Sequence, residues 1–252
     1  MTDPIYKFLA IPESCFLGKR VFKNLFLKNA QLGTADKKAL DQDVDLILWQ
    51  YAIKPANLPV AIYRDDQREY LEIAVLQANL HQIARHQRIA EVIHRAIPYP
   101  VLLLLACESR VAISVASKRF SQSERDKIIA EELCTTDWLN PDAATGVDKD
   151  FLADMAMGKL PQTNFYTLYN GWLERIISLQ CARFSGQYRS GTPSTDWQIR
   201  RNQLAKCQQI AQHIAELRRE LKAETQFNRQ VELNMRIKAA EKELAAAAAT
   251  RL

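Results

Sequence analysis

The sequence predicts an α/β (α+β) protein: a small mixed β-sheet packed with helices, followed by a long C-terminal coiled-coil-like helical arm. Three observations predict it. Apolar residues alternate with a period of two through the centre of the chain. They recur at spacings of three and four on either side of that centre. From Trp197 onward there is neither Pro nor Gly.

Residues 12–30 read as a first helix started by Pro12-Glu13-Ser14, with Val21, Leu25 and Lys28 alternating with Phe22, Phe26 and Asn29. A second helix starts at Thr34, its expected N-cap, and carries one apolar stripe of Leu40, Val44, Ile47, Leu48 and Tyr51 until Pro55 and Pro59 end it. The period then changes. Residues 70–76 (YLEIAVL) read as a strand, with Leu71, Ile73 and Val75 on one face. Residues 83–97 read as a helix facing inward through Ile89, Val92, Ile93 and Ala96, stopped by Pro98-Tyr99-Pro100. Residues 101–107 show no alternation, as a strand covered on both faces does. Glu108-Ser109 turns the chain into a hairpin partner at 111–116, and 128–133 add a further strand. Residues 151–157 and 165–179 read as helices, the second capped by Asn164 or Thr163 and buried through Leu168, Trp172, Ile176 and Leu179.

The segment RSGTPST at 189–195 places a boundary, giving an α/β globular domain over 1–190 and a helical arm over 191–252. In the arm Leu204, Cys207, Ala211, Ile214, Leu217 and Leu221 keep a coiled-coil seam, which falters at Glu224 and Asn228. Leu233, Ile237, Ala240 and Leu244 take up a second register, so either a stutter or a helical hairpin lies near 225–229. A continuous arm would be about 80 Å long.

Composition limits the function classes. No run approaches the roughly 18 apolar residues of a membrane span, and the N-terminus lacks the basic, apolar and small-residue zones of a secretory signal, so the expected location is cytoplasmic. Five scattered cysteines without Cys-x-x-Cys spacing imply reduced thiols and no zinc knuckle. With 7 glycines there is no phosphate-binding Gly-rich loop, and no cofactor is expected. His81, His86, His94 and His213 form no pair spaced to share a metal on one helix face.

The sharpest catalytic alternative is a metal-dependent nuclease, which needs carboxylates for Mg²⁺ and a lysine to steady the attacking water. Asp65, Asp66 and Glu72 lie near one strand, but Glu72-Ile73-Ala74 lacks the lysine, which Lys118 would have to supply. Basic groups gather at Lys19, Arg20 and Lys23, at Lys118 and Arg119, and at Arg200 and Arg201. The last 59 residues hold 11 Lys/Arg against 7 Asp/Glu, most of the net +5 charge. Salt-sensitive contact with nucleic acid is the functional reading of these groups, and a solvated helix face the plain one.

Several stretches together, among them ADKKALDQDVDLILWQYAIKP, YLEIAVLQANL, AEVIHRAIPYPVLLLLACESRVAISVASKRF, TNFYTLYNGWLERIISL and AETQFNRQVELNMRIKAAEKEL, cover nearly the whole chain. They resemble the prokaryotic family known as domain of unknown function 4391. The resemblance carries no activity and no catalytic residues. It implies genes placed beside DNA methyltransferases and helicases in restriction or anti-phage defence clusters, and so a partner role. The sequence therefore sets up an interaction subunit that docks a helicase, a methyltransferase or a second copy through Leu204, Ile214, Leu217, Leu221, Leu233, Ile237 and Leu244. A nucleic-acid-binding accessory is the alternative.

Overall fold

The computed structural model describes residues 4–29, 32–121, 128–190 and 196–249. The elements in chain order are α1 (Ile5–Leu9), a 3-10 turn (Glu13–Cys15), β1 (Phe16–Val21), α2 (Lys23–Asn29), α3 (Thr34–Asp43), β2 (Val44–Ile53), β3 (Tyr63–Arg64), β4 (Glu69–Tyr70), β5 (Ile73–Leu80), α4 (His86–Ala96), β6 (Val101–Cys107), β7 (Arg110–Phe120), β8 (Ile128–Thr135), α5 (Gly146–Asp154), a 3-10 turn (Met157–Lys159), α6 (Phe165–Ser185), α7 (Asp196–Ala223) and α8 (Phe227–Ala249). The chain divides into two compact units, Met1–Ile176 and Ile177–Leu252. The division falls within α6. The segment 191–195, where the sequence placed its boundary, lies outside the described residues.

The first unit is a mixed α/β structure around a six-stranded sheet of order β1-β2-β5-β6-β7-β8. Every neighbouring pair is antiparallel except β5 and β6, which run parallel and are joined by α4. A parallel pair needs such a crossover, and the covered strand β6 is buried at all seven residues, as its unbroken apolar run required. On one face Ile89, Ala90, Val92 and Ile93 of α4 meet Ala74, Leu76 and Ala78 of β5 and Leu103 and Leu105 of β6. Two carboxylates tie α3 to α4. Arg88 forks onto Asp36 with both contacts at 2.7 Å, and Arg85 pairs with the buried Asp43 at 2.6 Å. The Arg88 guanidinium holds the Asp36 carboxyl below its ordinary range.

Two expected helices are corrected. The stretch 12–30 contains β1 before α2, because Gly18 in the left-handed region (φ 62°) opens a bulge that breaks the strand's alternation. The stretch 34–51 leaves helix at Asp43 and becomes β2. Register shifts between Val44 and Leu46 and between Trp49 and Tyr51 put an extra residue into the strand twice. The buried positions Val44, Ile47 and Tyr51 therefore fall three and four apart, which imitates a helix. Gly33, with Thr34 as the first helical residue, occupies the N-cap of α3. The strand expected over 70–76 is displaced to β5, while Tyr70 belongs to the short β3–β4 hairpin.

The hairpin of β6 and β7 turns at Glu108, whose φ is 54°. Helix α6 starts with the expected cap. The Asn164 Oδ1 accepts from the Thr167 N–H at 2.9 Å, and the Thr167 Oγ1 accepts in return from the Asn164 N–H at 3.2 Å. No described helix is long and apolar enough to cross a membrane.

Candidate partner-binding surface

The two nuclease candidates serve other partners. Glu72 pairs with Lys54 at 3.0 Å, and Asp65 closes the β3–β4 turn by accepting from the backbone N–H groups of Gln67 and Arg68. Lys118 is 1% exposed. Lys118 continues the face of β7 that Ala112 and Ser114 turn toward α4, and its ammonium donates to the carbonyls of His94 and Ile97, the latter at 2.8 Å. It thus satisfies carbonyls at the C-terminal end of α4 that have no helical partner. Past Ser114 the pairing of β7 with β6 ends, and the hydroxyls of Tyr169 (2.8 Å, from Ala116) and Tyr70 (3.0 Å, from Lys118) accept the backbone N–H groups left on that side. Among the described residues no group of three His, Cys, Asp or Glu is placed to hold a metal ion.

Beside Lys118 lies a polar pocket of the core. The His94 Nε2 stands 3.1 Å from the Ser114 Oγ, which is 2.8 Å from the Thr135 Oγ1. The His94 Nδ1 is buried and has no hydrogen-bond partner among the described residues. Burial, with the nearby Lys118 charge, pushes the imidazole down to about 3, so the ring is neutral in the fold. Burial likewise pulls the Lys118 ammonium down to about 7. A histidine next to a serine suggests nucleophilic chemistry, but both side chains are sealed from solvent, His94 at 1% and Ser114 at 0% exposure. Their chemistry is structural.

The basic groups are dispersed in role. Lys19 and Arg20 lie on β1 at the sheet edge and are exposed. Lys23 instead donates to the carbonyls of Asp41 (3.0 Å) and Val44 (2.8 Å), pinning α2 to the end of α3. Arg119 is paired with Glu131 at 3.1 Å. Lys118, being enclosed, offers nothing to a phosphate at the surface. In the second unit Arg200 donates to the Ser178 Oγ at 2.9 Å, and Arg201 follows it on α7.

The second unit resolves the two registers of the arm into a helical hairpin. Helix α7 ends at Ala223 and α8 begins at Phe227. Between them the Glu224 carboxylate accepts from the N–H groups of Thr225 (2.8 Å) and Gln226 (2.9 Å), and those bonds hold it below its ordinary value. The helices run antiparallel, with Gln203 bonded to the Ala247 carbonyl and Arg218 to Glu241. The 28 residues of α7 span about 42 Å, in place of one arm of twice that length. Of the seam, Leu204, Ile214, Leu217, Leu233 and Ile237 are buried, while Leu221 and Leu244 are partly so. The seam is therefore used inside the chain. What stays open is the other side of α8. Phe227, Val231 and Met235, one turn apart, are 75%, 43% and 68% exposed. A groove of about 260 Å³ between the helices is lined by Lys206, Gln209, Ile210, His213, Ala240 and Glu243.

A family model described as domain of unknown function (DUF4391) matches residues 9–244, almost the full chain. The chain belongs to that family. No curated protein and no solved structure matches it. DUF4391 membership thus spans both units and brings no assigned residue with it. In the sequence the stripe on α8 is overlaid by the stronger periodic seam of Leu233, Ile237, Ala240 and Leu244. Phe227, Val231 and Met235 sit at i, i+4 and i+8, a second stripe whose only signal is that α8 has more apolar residues than one buried face requires.

Proposed function

We propose that this chain is a non-catalytic interaction subunit, and that the outer face of α8 is where it docks a protein partner. The single observation that carries the reading is the exposure of Phe227, Val231 and Met235 on one helix face while the seam on the other side is buried. Scattered exposed apolar residues need no explanation, but three successive turns of one face, including a phenylalanine and a methionine, form a continuous apolar strip of the kind that interfaces cover. The coiled-coil spacing of the seam suits a hairpin that stays rigid while presenting that strip. A partner helix laid along it is the fitting mode, because anchors at i, i+4 and i+8 are what helix-to-helix docking reads.

The partner class follows from the family resemblance: a helicase or DNA methyltransferase of a restriction or anti-phage defence system in the cytoplasm. The reading is tested by co-expressing the full chain with such a partner from the host's own defence cluster and passing the mixture over a sizing column. The wild type is expected to travel with the partner. Phe227→Ser with Met235→Ser removes two anchors of the size that dominates interfaces, about 2 kcal/mol or more each, and should release it. A complex that survives the double substitution, with helicity unchanged, would refute the assignment.

A further inference from the structure

At the opposite end of the sequence, on the first unit, a second surface carries a different chemistry. Strand β1 is an edge of the sheet, paired on one side only, with β2. Its sequence FLGKRV continues into Phe22, and both flanking aromatics are open: Phe16 is 51% and Phe22 is 62% exposed. Phe16 pairs across the ladder with Tyr51 and Arg20 with Leu48. The Arg20 guanidinium lies 5.7 Å from the centre of the Phe22 ring. Lys19 and Arg20 are exposed and make no ion pair with any described residue. Neighbours in a strand project to opposite sides, so Arg20 lies with Phe22 on one side of the edge and Lys19 with Val21 on the other.

Gly18 explains how Phe16 is held. Its φ of 62° belongs to the left-handed region, and a Cβ there would come within 2.8 Å of the Phe16 ring. The bare glycine lets the ring lie flat over the backbone. On its other flank the ring meets Tyr51 edge-on, with centroids 5.6 Å apart and planes at 73°. An exposed phenylalanine fixed in this way has already lost its rotamer freedom, so a flat ligand stacking on it forfeits little further entropy.

We propose that this edge is a binding site for single-stranded nucleic acid, with Phe16 and Phe22 stacking bases, Arg20 meeting a phosphate on the side of Phe22 and Lys19 a second one from across the open edge. The two rings are six residues apart, so they span at most about 20 Å at ~3.3 Å per residue, a run of several nucleotides. Every unpaired base presents a flat face to an aromatic ring, while a duplex hides those faces inside its stack, so the site selects single strands without reading sequence. The bulge at Gly18 and the cations also discourage another β-strand from adding to this edge, which favours nucleic acid over an extended peptide. The site lies on a different unit from the α8 face and stands or falls separately.

The test uses the full chain and fluorescently labelled oligonucleotides, comparing a thymidine single strand with a duplex of equal length by anisotropy. The single strand should bind more tightly, with a log–log salt slope of about −1.4, the value for two phosphates neutralised on a single strand. Phe22→Ala should weaken binding about tenfold, and Phe22→Trp should retain it and add a tryptophan whose emission is quenched on binding. Arg20→Ala should flatten the salt slope by about 0.7. Thermal melting of each variant establishes that the fold is kept, and Phe227→Ser should leave the affinity unchanged. Absence of binding by the wild type at low salt would overturn the proposal, as would equal affinity for duplex. So would an affinity indifferent to Phe22→Ala, including the case in which that substitution releases a protein instead.

Discussion

Acid should unfold this protein through one histidine, and the effect can be isolated by a single substitution. His94 is enclosed at 1% exposure, bonded through Nε2 to the Ser114 hydroxyl, with Nδ1 unpartnered among the described residues and the Lys118 ammonium on its own carbonyl. A proton added to the ring would be a buried charge beside a cation. The imidazole accordingly titrates near 3 in the fold against 6.5 when free. Below pH 6.5 the unfolded chain takes up a proton that the native chain refuses, so acidification favours unfolding until the pH reaches about 3. The slope is about 1.4 kcal/mol per pH unit, so His94 alone should cost ~2–3 kcal/mol between pH 6.5 and 4.5. His94→Gln keeps an amide where Nε2 meets Ser114 and cannot titrate. Urea unfolding of both proteins at pH 7.0, 5.5 and 4.5 provides the comparison, with all carboxylate effects common to both. The stability difference between wild type and variant should move by ~2–3 kcal/mol in favour of the variant over that range. A difference that stays constant with pH would show that the native ring accepts a proton, and the enclosed, neutral histidine would be wrong.

Lys118→Ala removes a buried stem and leaves the carbonyls of His94 and Ile97 without their donor, a loss of about 3 kcal/mol or more on urea denaturation. Lys118→Met, which keeps the stem and sheds the buried charge, should lose distinctly less. Gly18→Ala forces a side chain into left-handed backbone and against the Phe16 ring, costing about 1–2 kcal/mol in thermal or urea melts. Glu72→Gln touches only a part-exposed pair with Lys54, so its stability change should stay within about 1 kcal/mol and added Mg²⁺ should not shift the melting temperature of either protein.

How far the sequence could be read depended on whether local pattern and tertiary role agreed. Residues 101–107 agreed: an unbroken apolar run became β6, buried throughout. The α4 stripe and the Asn164 cap of α6 were equally direct, since periodicity and capping are written in neighbouring residues. Strand β2 disagreed, because its two register shifts moved the buried positions to helical spacing, and such shifts are set by the partner strands. Lys118 was legible as a cation but not as a core residue. What encloses it comes from afar in sequence: the carbonyls of α4 that it bonds, and Tyr70 and Tyr169, from β4 and α6, on the backbone around it. The candidate surfaces were less visible still. A seam announces itself by spacing, whereas the open face of α8 and the Phe16–Phe22 strip exist only as what the packed core leaves uncovered.

The central claim is that the outer face of α8 meets a protein partner, and photocrosslinking in the native host tests it most directly. A photoreactive phenylalanine analogue is placed at Asn228, exposed on the rim of the Phe227–Val231–Met235 stripe, with Arg219 on α7 as the control position. After nuclease treatment of the extract, the account predicts one discrete adduct from position 228 containing a helicase- or methyltransferase-type chain, and none from position 219. No adduct at 228, an adduct with a second copy alone, or equal labelling from both positions would contradict it.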